Sequence, residues 1–420
     1  MKKKKILNKK KYSIIVYISL LTAFFLWGFI SATYKTFPYS LVRDVYWKFN
    51  KQNVPRDKNK EVINYINNFY DNKNLINFQI KEINKKFNNI EKNSNLFRNK
   101  IINQYILPKE LIKFDELDVK EIIYKKTNIS FSDHQFKSLP KEDSILLKVK
   151  YYGINHYGIL ETNKKNNKLL IYHQGHGGNP YNFKYFLELK EMFKKKGYDI
   201  LSLSMSGLGY NLLSNKKYSF PINPNKDSNI SFNFKFHDKE IMRHDIYQFY
   251  HDENFPNTKP LALMLSGNYY IIQKLKNNYD KILMIGISGG GWATTILSAL
   301  IPEIQSSYSF HSFFPKFFNI NKYARADWEF TYSDIWKEYD YWDFYFLALF
   351  DNKNLYEREH HLIYNLKHED FEDYNDPYAT KFKELVNLSK INKLKVNVLD
   401  KNKHEIDINF VEEYILNKLE

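Results

Sequence analysis

Ser288 lies in the stretch Gly286-Ile287-Ser288-Gly289-Gly290, a Gly-x-Ser-x-Gly pattern whose chemistry is nucleophilic. A hydroxyl held on a tight strand-to-helix turn needs glycines around it, because larger side chains would collide there. The five-residue pattern recurs by chance, so its surroundings decide its weight. The stretch from Asp280 to Leu300 presents an apolar strand, a glycine-dense corner at Gly286 to Gly291 and an apolar helix made of small residues. A helix N-terminus at that point favours developing negative charge. Glycine-rich turns of this kind also cradle phosphates, but neither G-x-G-x-x-G nor G-x-x-x-x-G-K-[ST] occurs at this corner. The proton acceptor best suited to a serine is imidazole, whose ordinary pKa near 6.5 lets it take a proton and return it. With 12 histidines in the chain, residue type alone does not say which one. His237-Asp238 and His244-Asp245 share a helical stretch but show no H-E-x-x-H or comparable ligand spacing, so they read as a solvated or salt-bridged face and no metal site is expected. No cysteine is present, which removes disulfides, thiolate metal sites and a cysteine nucleophile.

A serine presented in this way requires a sheet to hold it. From Ser144 onward the chain alternates short β-rich runs with helical stretches, the pattern of an α/β domain. Ser144–Tyr152 and His156–Thr162 read as a leading strand pair, and Lys168–His173 as a buried strand that runs straight into Gln174-Gly175-His176-Gly177-Gly178-Asn179. A helix around Tyr185 to Lys196 follows, then a strand from Tyr198 to Met205 that ends at Ser206-Gly207-Leu208-Gly209. His360–Leu366 and Leu394–Leu399 read as later strands, and a closing helix starts near Asp407.

From about Ser144 to the C-terminus the chain resembles the α/β-hydrolase superfamily, in its serine-esterase, dienelactone-hydrolase-like or prolyl-oligopeptidase-like forms. The resemblance implies a mostly parallel central sheet flanked by helices, with Ser288 as nucleophile. It implies an oxyanion hole made by the backbone N–H of Gly289 and by the loop after the third principal strand, where Gly175 and His176 are the candidates; whether His173 or His176 corresponds to the family's His-Gly pair stays open. The family order Ser, acid, His implies an acid just beyond the strand His360–Leu366, where Asp370 and Glu369 are both available after His368, and a base at His404. Asp343, inside a helical run, is an outside candidate for the acid. The reaction implied is ester hydrolysis through an acyl-enzyme on a small-molecule, lipid or otherwise acylated substrate, with no metal or organic cofactor. A peptidase or an acyltransferase would use the same constellation, and a fold that has lost activity would serve as a binding or scaffold protein. The aromatic stretch Ala326 to Tyr345 falls in the customary lid position, about 320–345, so Trp328, Phe330, Trp336 and Trp342 would line a pocket or pack the core.

Ahead of this domain, Tyr12 to Tyr34 contains no charged residue and is long enough as a helix, at 1.5 Å per residue, to cross a hydrocarbon layer of about 30 Å. Lysines at 2–5 and 9–11 precede it, which under the positive-inside rule leaves the N-terminus cytoplasmic and the remainder beyond the membrane. Residues 1–35 are thus expected to be a basic tail and a single-pass anchor, the competing reading being a cleaved signal peptide. Residues 36–140 are expected to be a helical spacer and 141–420 the catalytic domain. Within the spacer, Ile76, Ile80, Ile83, Phe87, Ile90, Phe97 and Ile101 follow a three-and-four step broken only by Ser94. That stripe suits either an oligomerising stalk or a helix laid on the hydrolase domain. The formal net charge of +16 is spread over lysines scattered among Asn and Ile rather than gathered into one stripe, so nucleic-acid binding is not expected.

Overall fold

Strands buried on both faces need uninterrupted apolar residues, and Lys168–His173 and Lys281–Ile287 supply them. In the computed structural model the described residues are 72–107, 120–123, 140, 144–151, 154–162, 167–176, 178–206, 211, 218–221, 229–232, 260–315, 335–351, 357–366 and 377–419. The strands among them are β1 (Lys120–Ile123), β2 (Ile145–Tyr151), β3 (Ile154–Glu161), β4 (Lys168–His173), β5 (Asp199–Leu203), β6 (Tyr218–Pro221), β7 (Asn229–Phe232), β8 (Lys281–Ile287), β9 (Ser306–Phe310), β10 (Glu359–Asn365) and β11 (Leu394–Leu399). β6 and β7 pair with each other, and the rest form one sheet in the order β1-β2-β3-β5-β4-β8-β9-β10-β11. β1, β2 and β3 are antiparallel to their neighbours, whereas β5, β4, β8, β9, β10 and β11 run parallel.

The winding reverses at β4, which has β5 on one side and β8 on the other. At such a switch point the connections leave toward opposite sides and open a crevice beyond the carboxyl ends of the strands. The loops that leave β4 and β8 there are the two glycine-rich segments singled out above. Local chemistry and topology therefore converge on one edge of the sheet.

Alternation along the strands sends side chains to two cores. On one face Leu169, Ile171, Ile282 and Met284 pack with α1 (Lys73–Ile101), α3 (Pro260–Leu275), α4 (Gly289–Leu300), α5 (Ile335–Glu338), α6 (Tyr341–Leu347) and α7 (Pro377–Ser389). On the other, Leu170, Tyr172, Leu283 and Ile285 pack with α2 (Lys184–Lys195) and the terminal helical segment that begins at Ile408–Phe410. The side chain of Asp407 caps that segment, accepting from the Phe410 N–H at 3.0 Å.

The helix α1 belongs to the same compact unit, which runs from Phe69 to Glu420. This moves the boundary expected at residue 141: α1 packs on the domain and β1 is a strand of its sheet. Asn72 caps α1 at 3.2 Å from the Leu75 N–H. Ile83, Ile90 and Ile101 of the stripe are buried, with Ile80, Phe87 and Phe97 packed against the same core; burying each such side chain contributes about 1.5–3 kcal/mol. The seam is thus occupied within the domain. Arg98, also on α1, is buried and donates through Nε to Ala299 O at 2.8 Å and through Nη2 to Leu347 O at 2.7 Å, with Phe350 O as a further acceptor. Arg358 donates to Leu347 O at 3.1 Å and to Ile304 O at 2.9 Å. Two guanidinium groups thereby satisfy carbonyls at the C-terminal ends of α4 and α6, where the helix dipole favours positive charge.

Trp336 and Trp342, from the expected lid, are buried; Trp336 stacks on Tyr341 at 4.4 Å and Trp342 meets Phe382 edge-on at 5.5 Å, so both pack the core. Trp328 and Phe330 lie outside the described residues. No helix among the described residues is long and apolar enough to cross a membrane, and Tyr12 to Tyr34 lies outside them.

Candidate active site

The corner after β8 is built from close backbone contacts. Ser288 adopts φ 58° and ψ −127°, a left-handed φ that a residue with a side chain adopts only at a cost, and one that concentrates at functional turns. Its N–H donates to Phe310 O at 2.9 Å, and its carbonyl accepts from the Trp292 N–H at 3.0 Å as α4 begins. Strand β8 fixes one side of the turn and helix α4, buried along its whole length, fixes the other. The half-buried Ser288 is held between them at the crevice.

Two glycines let the β4 loop and the corner touch. A Cβ on Gly290 would stand 2.1 Å from His173 O and 2.7 Å from Gln174 C. A Cβ on Gly175 would stand 2.5 Å from Ile287 O and 2.8 Å from the Ser288 Cβ, with Gly289 N at 3.2 Å. Only hydrogen fits in either place, so the backbones of Gly175 and Gly289 lie side by side next to the serine. The ring of His176 covers Gly289 closely enough that a methyl there would fall 2.6 Å from its Cε1. The three residues expected to form an oxyanion hole are thus brought together around Ser288. Gly290→Ala is expected to destabilise the fold by about 3 kcal/mol, because the new methyl meets main chain of a central strand that cannot retreat; the shift of a urea midpoint measures it.

His404 follows β11 on an exposed loop. That loop is tied to the ends of two neighbouring strands: the Asn365 amide donates to Lys403 O at 2.5 Å, and Leu366 N–H donates to Leu399 O at 2.7 Å. The His404 ring packs on the ring of His311, with centroids 4.8 Å apart and planes at 34°. His311 is the residue after Phe310, whose carbonyl holds the Ser288 N–H; its own N–H donates to Ile363 O at 2.8 Å, and its Nε2 lies 3.3 Å from Glu405 O. Ser288 and His404, 116 positions apart (404 − 288), are therefore linked through the end of β9, on the same edge of the sheet. His311 carries no local signal in the sequence, because the strand that ends before it, Ser306–Phe310, has serine at three of its five positions and is not an apolar run.

Glu369 and Asp370, with His368, lie outside the described residues, beyond the carboxyl end of β10. Asp343 has a structural role: it completes the capping box of α6 and pairs with Lys86 at 2.8 Å. His360 and His361 point to opposite faces, as strand alternation requires. His360 meets Ser307 Oγ at 2.7 Å, and His361 lies against Tyr308 and pairs with Glu359 at 3.1 Å. That pairing with His361 holds the Glu359 carboxyl down, at about 2. No cluster of three or more His, Asp or Glu side chains among the described residues could hold a metal ion, and the His237 and His244 pairs lie outside them.

A mixed sheet led by antiparallel strands, six parallel strands wound about a switch point, and a strained Gly-x-Ser-x-Gly corner beside a glycine loop from the adjoining strand are now all in place. The fold is that of the α/β-hydrolase superfamily. No family model matches the chain, and no curated protein matches it in sequence. Solved structures with similar arrangements include acetyl xylan esterase 1 from Thermoanaerobacterium sp., at 15% identity and TM-score 0.41 over 76% of this chain and 90% of that one. Est1E from Butyrivibrio proteoclasticus superposes at 12% identity and TM-score 0.40 over 65% of this chain and 97% of that one. An acylaminoacyl peptidase does so at 16% identity and TM-score 0.36, over 65% of this chain but 38% of its own.

Proposed function

We propose that this hydrolase-fold protein is a serine hydrolase that cleaves carboxylic esters through an acyl-enzyme. The observation that carries the reading is the left-handed Ser288 on its corner, with the Gly175 backbone pressed against it. His404 takes the Ser288 proton as Oγ attacks the ester carbonyl, and the new C–O bond leaves a tetrahedral centre with a negatively charged oxygen. The N–H groups of Gly289 and of Gly175 or His176 receive that charge. As the centre collapses, the bond to the alkoxide breaks and His404 returns the proton to it. Water, deprotonated by the same imidazole, then cleaves the acyl-enzyme and restores Ser288. Asp370 or Glu369 orients His404 and stabilises its cationic form. In this reading the uncharged stretch Tyr12 to Tyr34 anchors the chain, with the N-terminus cytoplasmic and the hydrolase domain on the extracytoplasmic side, where it meets small-molecule or lipid-like acyl substrates.

A fluorophosphonate probe tests the reading. The full-length chain in detergent is expected to be labelled and Ser288→Ala to remain unlabelled. Equal labelling of both, or labelling of neither while both are folded, overturns it. Asp370→Asn and Glu369→Gln, compared by labelling rate, then separate the two acids.

A further inference from the structure

Beneath the loop that follows β4 runs a chain of buried polar side chains that the proposed chemistry does not use. His156 on β3, His173 at the end of β4, Ser206 beyond β5 and Asn268 on α3 are all fully buried. Ser206 Oγ is 3.0 Å from His156 Nδ1, and His156 Nε2 is 2.6 Å from Asn268 Oδ1. Asn268 Nδ2 is 2.8 Å from His173 Nε2, and His173 Nδ1 is 3.0 Å from Gln174 O. Asn268 comes this close because Gly267 beside it has no side chain: a Cβ there would lie 2.4 Å from His156 Cγ.

Two carbonyls set the proton directions along this chain, and Asn211 Nδ2, 3.5 Å from His156 Nε2, has carbonyl acceptors at Tyr157 and Ser204, 3.1 and 3.2 Å away, for its two hydrogens. Gln174 O can only accept, so His173 carries its proton on Nδ1 and offers Nε2 as an acceptor. Asn268 also faces Ser204 O, at 3.3 Å, and a carbonyl there requires the amide nitrogen on that side. Asn268 Nδ2 therefore donates to His173 Nε2 while its Oδ1 accepts from His156 Nε2–H. His156 Nδ1 is left to accept from the Ser206 hydroxyl. The Gln174 and Ser204 carbonyls agree on one tautomer for each ring, and burial keeps both rings neutral, at about 4 for His156 and about 3 for His173.

The last acceptor in the chain belongs to the peptide that joins Gln174 to Gly175. In a trans peptide the C=O and N–H point in opposite directions, so drawing Gln174 O down onto His173 turns the Gly175 N–H away from His173. A flip of this peptide is otherwise inexpensive, because Gly175 accepts φ of either sign, and it would turn an oxygen to where the N–H had been. Resting on the hydrolase reading above, we infer that His173, held in one tautomer by Asn268 and His156, is a positioning residue that locks the Gln174–Gly175 peptide with its N–H presented to the oxyanion.

The full-length chain tests this with p-nitrophenyl acetate. His173→Leu removes the donor to Gln174 O and is expected to lower kcat by about 10²–10³-fold, with KM changed less than about threefold because the ground-state carbonyl gains little from that N–H. His173→Asn places an amide N–H near the position of Nδ1 and is expected to recover kcat to within about tenfold of wild type. In wild-type chain labelled with 15N-histidine, His173 should appear as the Nδ1–H tautomer and His156 as the Nε2–H tautomer, a readout that depends on no variant folding. An Nε2–H tautomer at His173, or a folded His173→Leu that keeps wild-type kcat, overturns the inference while the hydrolase reading stands. A wild-type chain that neither turns over the ester nor takes the fluorophosphonate label removes both.

Discussion

Ser288→Ala, His404→Ala and the double variant are expected to lower the kcat for p-nitrophenyl acetate by similar factors, on the order of 10⁴–10⁶. A nucleophile and its base act as one unit: without the imidazole the hydroxyl is a poor nucleophile, and without the hydroxyl the imidazole has nothing to activate. The second substitution therefore has little left to remove. Residual catalysis of about 10³-fold over water would remain in all three variants, supplied by the oxyanion donors at Gly289 and the β4 loop, which none of the substitutions touches. KM should stay nearly constant, since neither group binds the ground state strongly. Losses that multiply in the double variant would show that the two residues act independently, and the proposed pairing of Ser288 with His404 would be abandoned. The path joining them through Phe310 and His311 is the structural reason to expect coupling.

Acid should unfold the domain well above the range in which carboxylates titrate. His156, His173 and His360 are fully buried, and removal from water holds their folded pKa values at about 4, about 3 and about 3 respectively. In each case the folded value is depressed below the unfolded one of about 6.5, so the unfolded chain binds protons first as pH falls. The stability attached to keeping these rings neutral is complete above pH 6.5 and is lost as pH drops from there toward 3 or 4. At pH 5 each ring accounts for about 2 kcal/mol, or about 6 kcal/mol for the three, against a total of about 5–15 kcal/mol for an ordinary domain. Urea midpoints measured from pH 7.5 to 5 should fall steadily, with a limiting slope near three protons. His360→Gln should remove about one of them while leaving ester turnover near wild type, because His360 sits between Ser307 and Thr295 in the core. A midpoint that does not move between pH 7 and 5 would show that these rings are not buried neutral.

Most strands that hold the site were legible because they are short apolar runs closed by turn residues; β9 was not, since Ser306–Phe310 has serine at three of five positions. Lys168–His173 and Leu394–Leu399 form strands with the expected limits, and the strand expected at His360–Leu366 spans Glu359–Asn365. Burial on both faces demands such runs, and no tertiary knowledge is needed to see them. The stripe on α1 was equally legible as a stripe, yet its partner was not. A three-and-four step states that a helix has an apolar face and leaves open what covers it. The long-range contacts decided that: Arg98 reaches Ala299, 201 positions away, and Ile83 and Ile90 join the same core as Trp292.

By itself the sequence determined the glycine corner around Ser288, the glycine loop after β4 and the order in which strands and helices alternate, since these follow from local sterics and from apolar periodicity. The tertiary structure alone placed α1 on the domain, set Trp336 and Trp342 in the core and brought His311 under His404. It also threaded His156, Asn268 and His173 into one line beneath the β4 loop. Those arrangements join residues far apart in the chain on different elements, such as His156 and Asn268 at a separation of 112 and His173 and Asn268 at 95. A hydrogen bond of that kind leaves no period or local pattern in the chain; it exists only once the sheet has closed around it.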